Sequence, residues 1–192
     1  MFSKFFLSLS PAKKIAYVAV FLALSVAANS ILDIDIGASN KITFTYTVGF
    51  LTAYALGAVP AFFIGFAGDG IGFLLKPSNA YWLFGVTIGL FGFFVGIFIH
   101  YLPLKGKVAP YIKAVIALVF CYLVITLVLN SVVNYYFVKI FMYHGDWNKA
   151  FFVYLGGRIG LQSLVYGVNF ALCVAFVPAL ERILPKLQKK RT

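Results

Sequence analysis

The chain has 192 residues, of which 62% are hydrophobic and only 11% charged, and its 16 Lys and Arg against 5 Asp and Glu give a formal net charge of +11. Soluble domains carry roughly 25% charged residues, so a soluble globular fold is excluded. So are a coiled coil, which needs charged flanks, and an outer-membrane barrel, whose strands alternate polar and apolar positions. The apolar content instead matches the roughly 120 residues that six membrane-crossing helices of about 20 residues require.

Residues 1–12, with Phe2, Phe5, Phe6 and Leu9 around Lys4, read as a short interfacial segment. Six apolar runs follow, at residues 15–32, 42–56, 59–75, 81–102, 111–140 and 155–180. The first follows Lys13 and Lys14 and contains Ser25-Val26-Ala27, but it outlasts a signal-peptide core, and its removal would leave an odd number of spans. Only Gly57 and Pro60 divide the second run from the third, and residues 42–56 alone reach roughly 22 Å, short of a hydrocarbon core of about 30 Å.

Charge decides the division. With six spans drawn, Lys4, Lys13, Lys14, Lys105, Lys107, Lys113, Arg182, Lys186, Lys189, Lys190 and Arg191 share the side of both termini, which is 11 of the 16 basic residues. The opposite side holds Lys41, Lys76, Lys139, Lys149 and Arg158 with four of the five acids, Asp33, Asp35, Asp69 and Asp146. Merging the second and third runs would scatter this asymmetry. The positive-inside rule therefore predicts an all-α integral membrane protein of six transmembrane helices in one domain, residues 1–192, with both termini cytoplasmic. The positive charge is a topology signal first and an attraction to anionic lipid second, and it does not imply nucleic-acid binding.

Two kinds of stripe run down the spans. Ala19, Ala23 and Ala27 recur every four residues in the first and form a smooth face where a helix can approach closely, from this chain or from a partner. Gly85, Gly89, Gly92 and Gly96 form a second such face in the fourth, enough to close a six-helix bundle and leave the alanines for an outside partner.

The outer side carries the polar candidates. Asp69, within Gly68-Asp69-Gly70-Ile71-Gly72, ends an apolar run, where an acid needs a wet cavity or a partner such as Lys76. Pro77, Ser78, Asn79, Tyr81 and Trp82 follow. Arg158, after Gly156-Gly157, heads the last span with Gln162 one turn later on the same face; snorkelling to headgroups is the plain alternative, and the amide of Gln162 weakens it. Lys41 with Asn40, and Trp147 with Asn148, complete an outer ring that serves either as a ligand site or as an aromatic belt. The expected binding set is Lys41, Asp69, Lys76, Asn79, Tyr81, Trp82, Trp147, Arg158 and Gln162.

Catalytic readings find little support. His100 and His144 lie on opposite sides, Glu181 is the only glutamate, a second intramembrane Asp is absent and no phosphate-binding Gly-x-x-x-x-Gly-Lys-Ser/Thr loop occurs. Cys121 and Cys173 sit in apolar runs as small hydrophobes, so neither a metal site nor a cofactor is expected. If the protein moves a solute with ATP, another subunit hydrolyses it.

The six spans, the Ala19, Ala23 and Ala27 stripe and the outer segment Gly68-Asp69-Gly70-Ile71-Gly72 with Lys76-Pro77 together resemble the S component of an energy-coupling factor (ECF) transporter. The resemblance implies a vitamin-binding membrane subunit in a prokaryotic cell membrane. Its alanine stripe would dock on a transmembrane coupling subunit that carries two ATPases. Arg158 with Gln162 looks most like the folate-specific branch, and Lys41 stands where a second cation could meet a carboxylated vitamin, though without the bidentate grip of Arg. Pantothenate, riboflavin or thiamine are the alternative ligands. A self-sufficient secondary transporter or channel, or a membrane assembly protein without a solute, are the alternatives of another class.

Overall fold

The computed structural model describes residues 1–32, 34–35, 41–77, 81 and 83–189. In chain order the helices are α1 (Lys4–Leu7), α2 (Pro11–Ser30), α3 (Thr45–Leu56), α4 (Ala58–Leu75), α5 (Phe84–Tyr101), α6 (Ala109–Cys121), α7 (Asn130–Phe137) and α8 (Phe151–Lys189). Two π-helical stretches, Tyr122–Leu129 and Val138–Met142, continue α6 into α7 and beyond, so the helical path runs unbroken from Ala109 to Met142. The fold is all-helical, as expected, apart from one two-residue ladder. Between α2 and α3, β1 (Ile34–Asp35) pairs antiparallel with β2 (Lys41–Ile42), with Asp35 opposite Lys41.

Among the described residues, five segments are long and apolar enough to cross a membrane: Pro11–Ser30, Ala58–Leu75, Phe84–Tyr101, Ala109–Met142 and Phe151–Leu187. The 12-residue α3 is not among them, since at 1.5 Å per residue it reaches roughly 18 Å. Its sequence is apolar all round, and the fold answers by burying it: Phe50, Ala53, Ala55 and Leu56 are all in the core. Large side chains elsewhere face outward, among them Ile15, Phe63, Leu74 and Leu123, as a lipid-facing surface requires.

Packing between helices runs through small residues. In lipid no water drives helices together, so close van der Waals contact must hold them. The glycine face of α5 lies on α4, and at Gly96 a Cβ would come within 2.6 Å of the Ala58 nitrogen. On the other side of α4, Gly68 and Gly72 receive Ser25 and Asn29 of α2. The buried face of α2 is thus the one carrying Ser25 and Ala28, while Ala19 and Ala23 are exposed and Ala27 is half-buried.

Both ends of the bundle are tied by polar contacts. At the end that carries the termini, Ser3 donates its N–H to the Leu56 carbonyl (3.0 Å) and its hydroxyl to the Ala55 carbonyl, and Val59 N–H donates to Met1 (3.3 Å). Phe5, Phe6 and Leu9 bury themselves against Ala55, Leu56 and Ile64. The N-terminal segment therefore plugs the α3–α4 junction, where the sequence suggested only an interfacial helix. At the far end Asn169 of α8, 1% exposed, accepts from Thr47 N–H (3.1 Å) and Oγ1 (2.8 Å) and donates to the Thr43 carbonyl (2.8 Å). That amide pins the start of α3.

The junction at Gly57 follows from backbone geometry. Its φ of 103° lies where side chains are strained, and a Cβ there would sit 2.5 Å from the Ser3 nitrogen. We expect Gly57→Ala to destabilise the protein by about 3 kcal/mol, from strain and clash together. Gly106, at φ 118° in open space, bears the strain alone, so Gly106→Ala should cost about 1 kcal/mol. Unfolding of the two variants in detergent measures the difference.

Candidate functional site

The far end of the bundle gathers two polar clusters. The first is built where α4 leaves the core. Asp69 is buried there, and its Oδ1 accepts from Asn29 Nδ2 of α2 (3.0 Å) while its Oδ2 accepts from the Tyr81 hydroxyl (2.8 Å). Gly72 makes room for Asn29, and the Tyr81 oxygen in turn accepts the Gly85 N–H (3.2 Å) that opens α5. Burial, then the hydrogen bond to Asp69 and its charge, push the Tyr81 phenol up to about 12, so it remains a donor across the neutral range. Asp69 acts as a brace that locks the α4–α5 connection onto α2.

The second cluster is assembled by α8, α7 and the π-helical stretch at residues 122–129. Arg158 is half-buried on α8; its Nη1 donates to the Tyr154 hydroxyl (2.6 Å), and its guanidinium lies 5.4 Å from the Tyr154 ring centre. The Tyr154 hydroxyl donates onward to Asn134 Oδ1 of α7 (3.4 Å). With its amide in the orientation that satisfies its neighbours, Gln162 accepts from Arg158 Nε (3.1 Å) and Nη2, and donates to the Thr126 carbonyl (3.1 Å). Aromatic rings enclose this chain: Trp147 lies 4.5 Å from Tyr143 and 6.3 Å from Tyr154, and Tyr135 lies 5.6 Å from Tyr154.

The electrostatics of this cluster are unbalanced. Every partner of Arg158 among the described residues is neutral, and two of its five N–H groups are left over. Beside Tyr154, the buried Trp147 indole N–H has no hydrogen-bond partner among the described residues. Buried polar groups are normally paired. A guanidinium, neighbouring aromatic rings and spare donors are what an aromatic acid needs for binding.

The comparisons with known proteins bear on the whole fold. Residues 10–177 match the family described as ECF-type riboflavin transporter, S component. The chain belongs to that S-component family. Among solved structures it is similar to the crystal structure of FolT bound with folic acid, at a TM-score of 0.63 and 20% identity, covering 83% of this chain and 88% of that one. The sequence matches no curated protein.

In this S component most of the described residues among those singled out from sequence fall into two clusters. Trp147, Arg158 and Gln162 converge on the second cluster. Asp69 and Tyr81 form the separate brace with Asn29, and Lys76 is exposed just beyond the end of α4. Lys41 belongs to β2, opposite Asp35, and Asn79 and Trp82 lie outside the described residues. Sequence reasoning passed over Tyr154, Asn134 and Asn169. The signal was there for Asn169, an amide deep inside an apolar run; Tyr154 and Asn134 matter only because the fold sets them beside Arg158.

The brace makes a thermodynamic prediction. Hydrogen bonds to a charged group are worth roughly 1.5 to 3 kcal/mol, so Tyr81→Phe should destabilise by about 2 kcal/mol. In an Asp69→Asn background the same change should cost much less, and a double-mutant cycle on detergent unfolding measures the coupling.

Proposed function

We propose that this S component captures a water-soluble vitamin at the far end of its bundle, with folate as the favoured ligand. The observation that carries this reading is Arg158, half-buried, surrounded by tyrosines and without a carboxylate partner among the described residues. A ligand with an aromatic ring and a carboxylate supplies both missing pieces, since its ring can stack on Trp147 or Tyr154 while its acid meets the spare N–H groups of Arg158. The solved FolT with folic acid, similar in fold, supports that choice. Lys41, Lys76, Asn79 and Trp82, singled out from the sequence, are proposed as further contacts, and the Asp69–Tyr81 brace holds the start of α5.

The family description favours a second reading, riboflavin. Its ring system would stack equally well, but it brings no carboxylate and would leave Arg158 unpaired. Pantothenate has the acid without the ring, and thiamine would set a cation against the guanidinium.

The path across the membrane follows from the same reading. Counting the buried α3 as the second span gives six, and the 11 basic residues at the end with the termini put that end in the cytoplasm. The vitamin is then bound from outside. ATP hydrolysis comes from two ATPases through a transmembrane coupling subunit, which docks on Ala19, Ala23 and Ala27. Two of these alanines are exposed on a helix whose own contacts use another face, which supports a partner helix there.

Titrating folate, pantothenate and riboflavin against the purified protein tests the ligand. Folate should bind, and Arg158→Ala should weaken it by some tens to thousands of fold, as loss of a buried charge partner does. Equal binding by the variant would reduce Arg158 to a headgroup anchor, and riboflavin binding without folate would shift the assignment to the second reading. For the docking face, Ala23→Trp should abolish uptake in cells that contain the partner subunits while leaving vitamin binding unchanged. Loss of binding as well would assign the stripe to internal packing.

A further inference from the structure

The end that carries the termini holds a cavity of about 530 Å³ that the vitamin reading does not use. Five elements meet around it and each contributes a polar side chain: Lys4 from α1, Tyr54 from α3, His100 from α5, Lys113 from α6 and Glu181 from α8. Several of these groups have fixed partners. Tyr54 donates its hydroxyl to Glu181, His100 Nε2 donates to the Ala53 carbonyl (3.0 Å) and Lys113 donates to the Ile99 carbonyl (3.3 Å). These contacts hold the groups at the cavity wall without neutralising either lysine. Two lysines against the single carboxylate of Glu181 leave the lining net positive.

Apart from Ser3 and the Tyr101 hydroxyl, the rest of the lining is apolar. Tyr101 and Leu104, at and just beyond the end of α5, and Phe2, just before α1, border the cavity and are exposed, giving it an apolar edge that a lipid's first methylenes could cover. A basic pocket between helices, open onto an apolar track at headgroup level, is the physical description of an anionic-lipid site. Free phosphate would use the cations and ignore the track.

We propose that this cavity binds the phosphodiester headgroup of an anionic phospholipid, with Lys4 and Lys113 facing the phosphate. The site would bridge the N-terminal plug, α5, α6 and α8, and so tie the lipid leaflet to the junction at Gly57.

The test uses the full-length protein in detergent, with phosphatidylglycerol, phosphatidylethanolamine and inorganic phosphate as probes, read by native mass spectrometry and thermal shift. Phosphatidylglycerol should be retained over phosphatidylethanolamine by about tenfold, and Lys4→Gln with Lys113→Gln should remove that preference. Arg182→Gln with Lys186→Gln, exposed on the same end but outside the cavity, should leave it unchanged. An equal loss in that control would mean diffuse surface attraction and overturn the proposal, as would equal retention of the two lipids in the unaltered protein. Glu181→Gln keeps an acceptor for Tyr54 and removes a negative charge, so it should raise phosphatidylglycerol retention several-fold. It supplies the reading if the double lysine variant does not fold, and an unchanged or weaker retention would count against the site. A thermal shift with inorganic phosphate as large as with the lipid would keep the phosphate chemistry and overturn the lipid as its source.

Discussion

Close approach of α4 to the helices on both of its sides is the constraint on which the remaining geometry rests. Gly96 of α5 meets the backbone of α4 at Ala58, and Gly68 and Gly72 of α4 accept Ser25 and Asn29 of α2. Between helices in lipid, dispersion and polar contacts take over the work that water does for soluble cores. Once the three helices are in contact, the heights of their residues are set. Asp69 then stands level with Asn29, and Tyr81 reaches it from the start of α5. A bulkier residue on either glycine face would separate the helices and undo the brace.

The two ends of the bundle solve the problem of polar groups in a dry environment in different ways. At the end with the termini the chain seals itself, with Ser3 satisfying the last carbonyls of α3 and three apolar side chains closing the α3–α4 junction. At the far end Asn169 is fully committed to Thr43, Thr47 and Val165, whereas Arg158 has only neutral partners among the described residues. A guanidinium held this way is costly in a protein that binds nothing and useful in one that recognises an acid. The π-helical turns at residues 122–129 lie opposite it, presenting the Thr126 carbonyl to Gln162. Such turns break the regular ladder and are frequent where a helix serves a site.

Much of this was legible in the residues. Apolar runs of membrane length, the break at Gly57 and the glycine face of α5 all rest on local properties, namely hydropathy, backbone freedom and side-chain size. The chemistry of Arg158 with Gln162 was also visible, because residues four apart share a helix face. What the sequence hid depends on tertiary distance. Asp69 announced that it needed partners, but those partners lie 40 residues before it and 12 after it. Tyr154 and Asn134 look like ordinary belt residues until α7 and α8 are side by side. The N-terminal plug was hidden too, since Phe5, Phe6 and Leu9 have the same pattern whether they lie on lipid or on α3.

The central claim is that the far end holds an aromatic acid through Arg158. Native mass spectrometry of the detergent-purified protein, without added ligand, addresses it most directly. The account predicts one co-purifying molecule per chain with the mass of folate or a derivative, retained by the unaltered protein and lost from Arg158→Ala. A protein that carries a vitamin without a carboxylate, or one that keeps its ligand after Arg158→Ala, would contradict it.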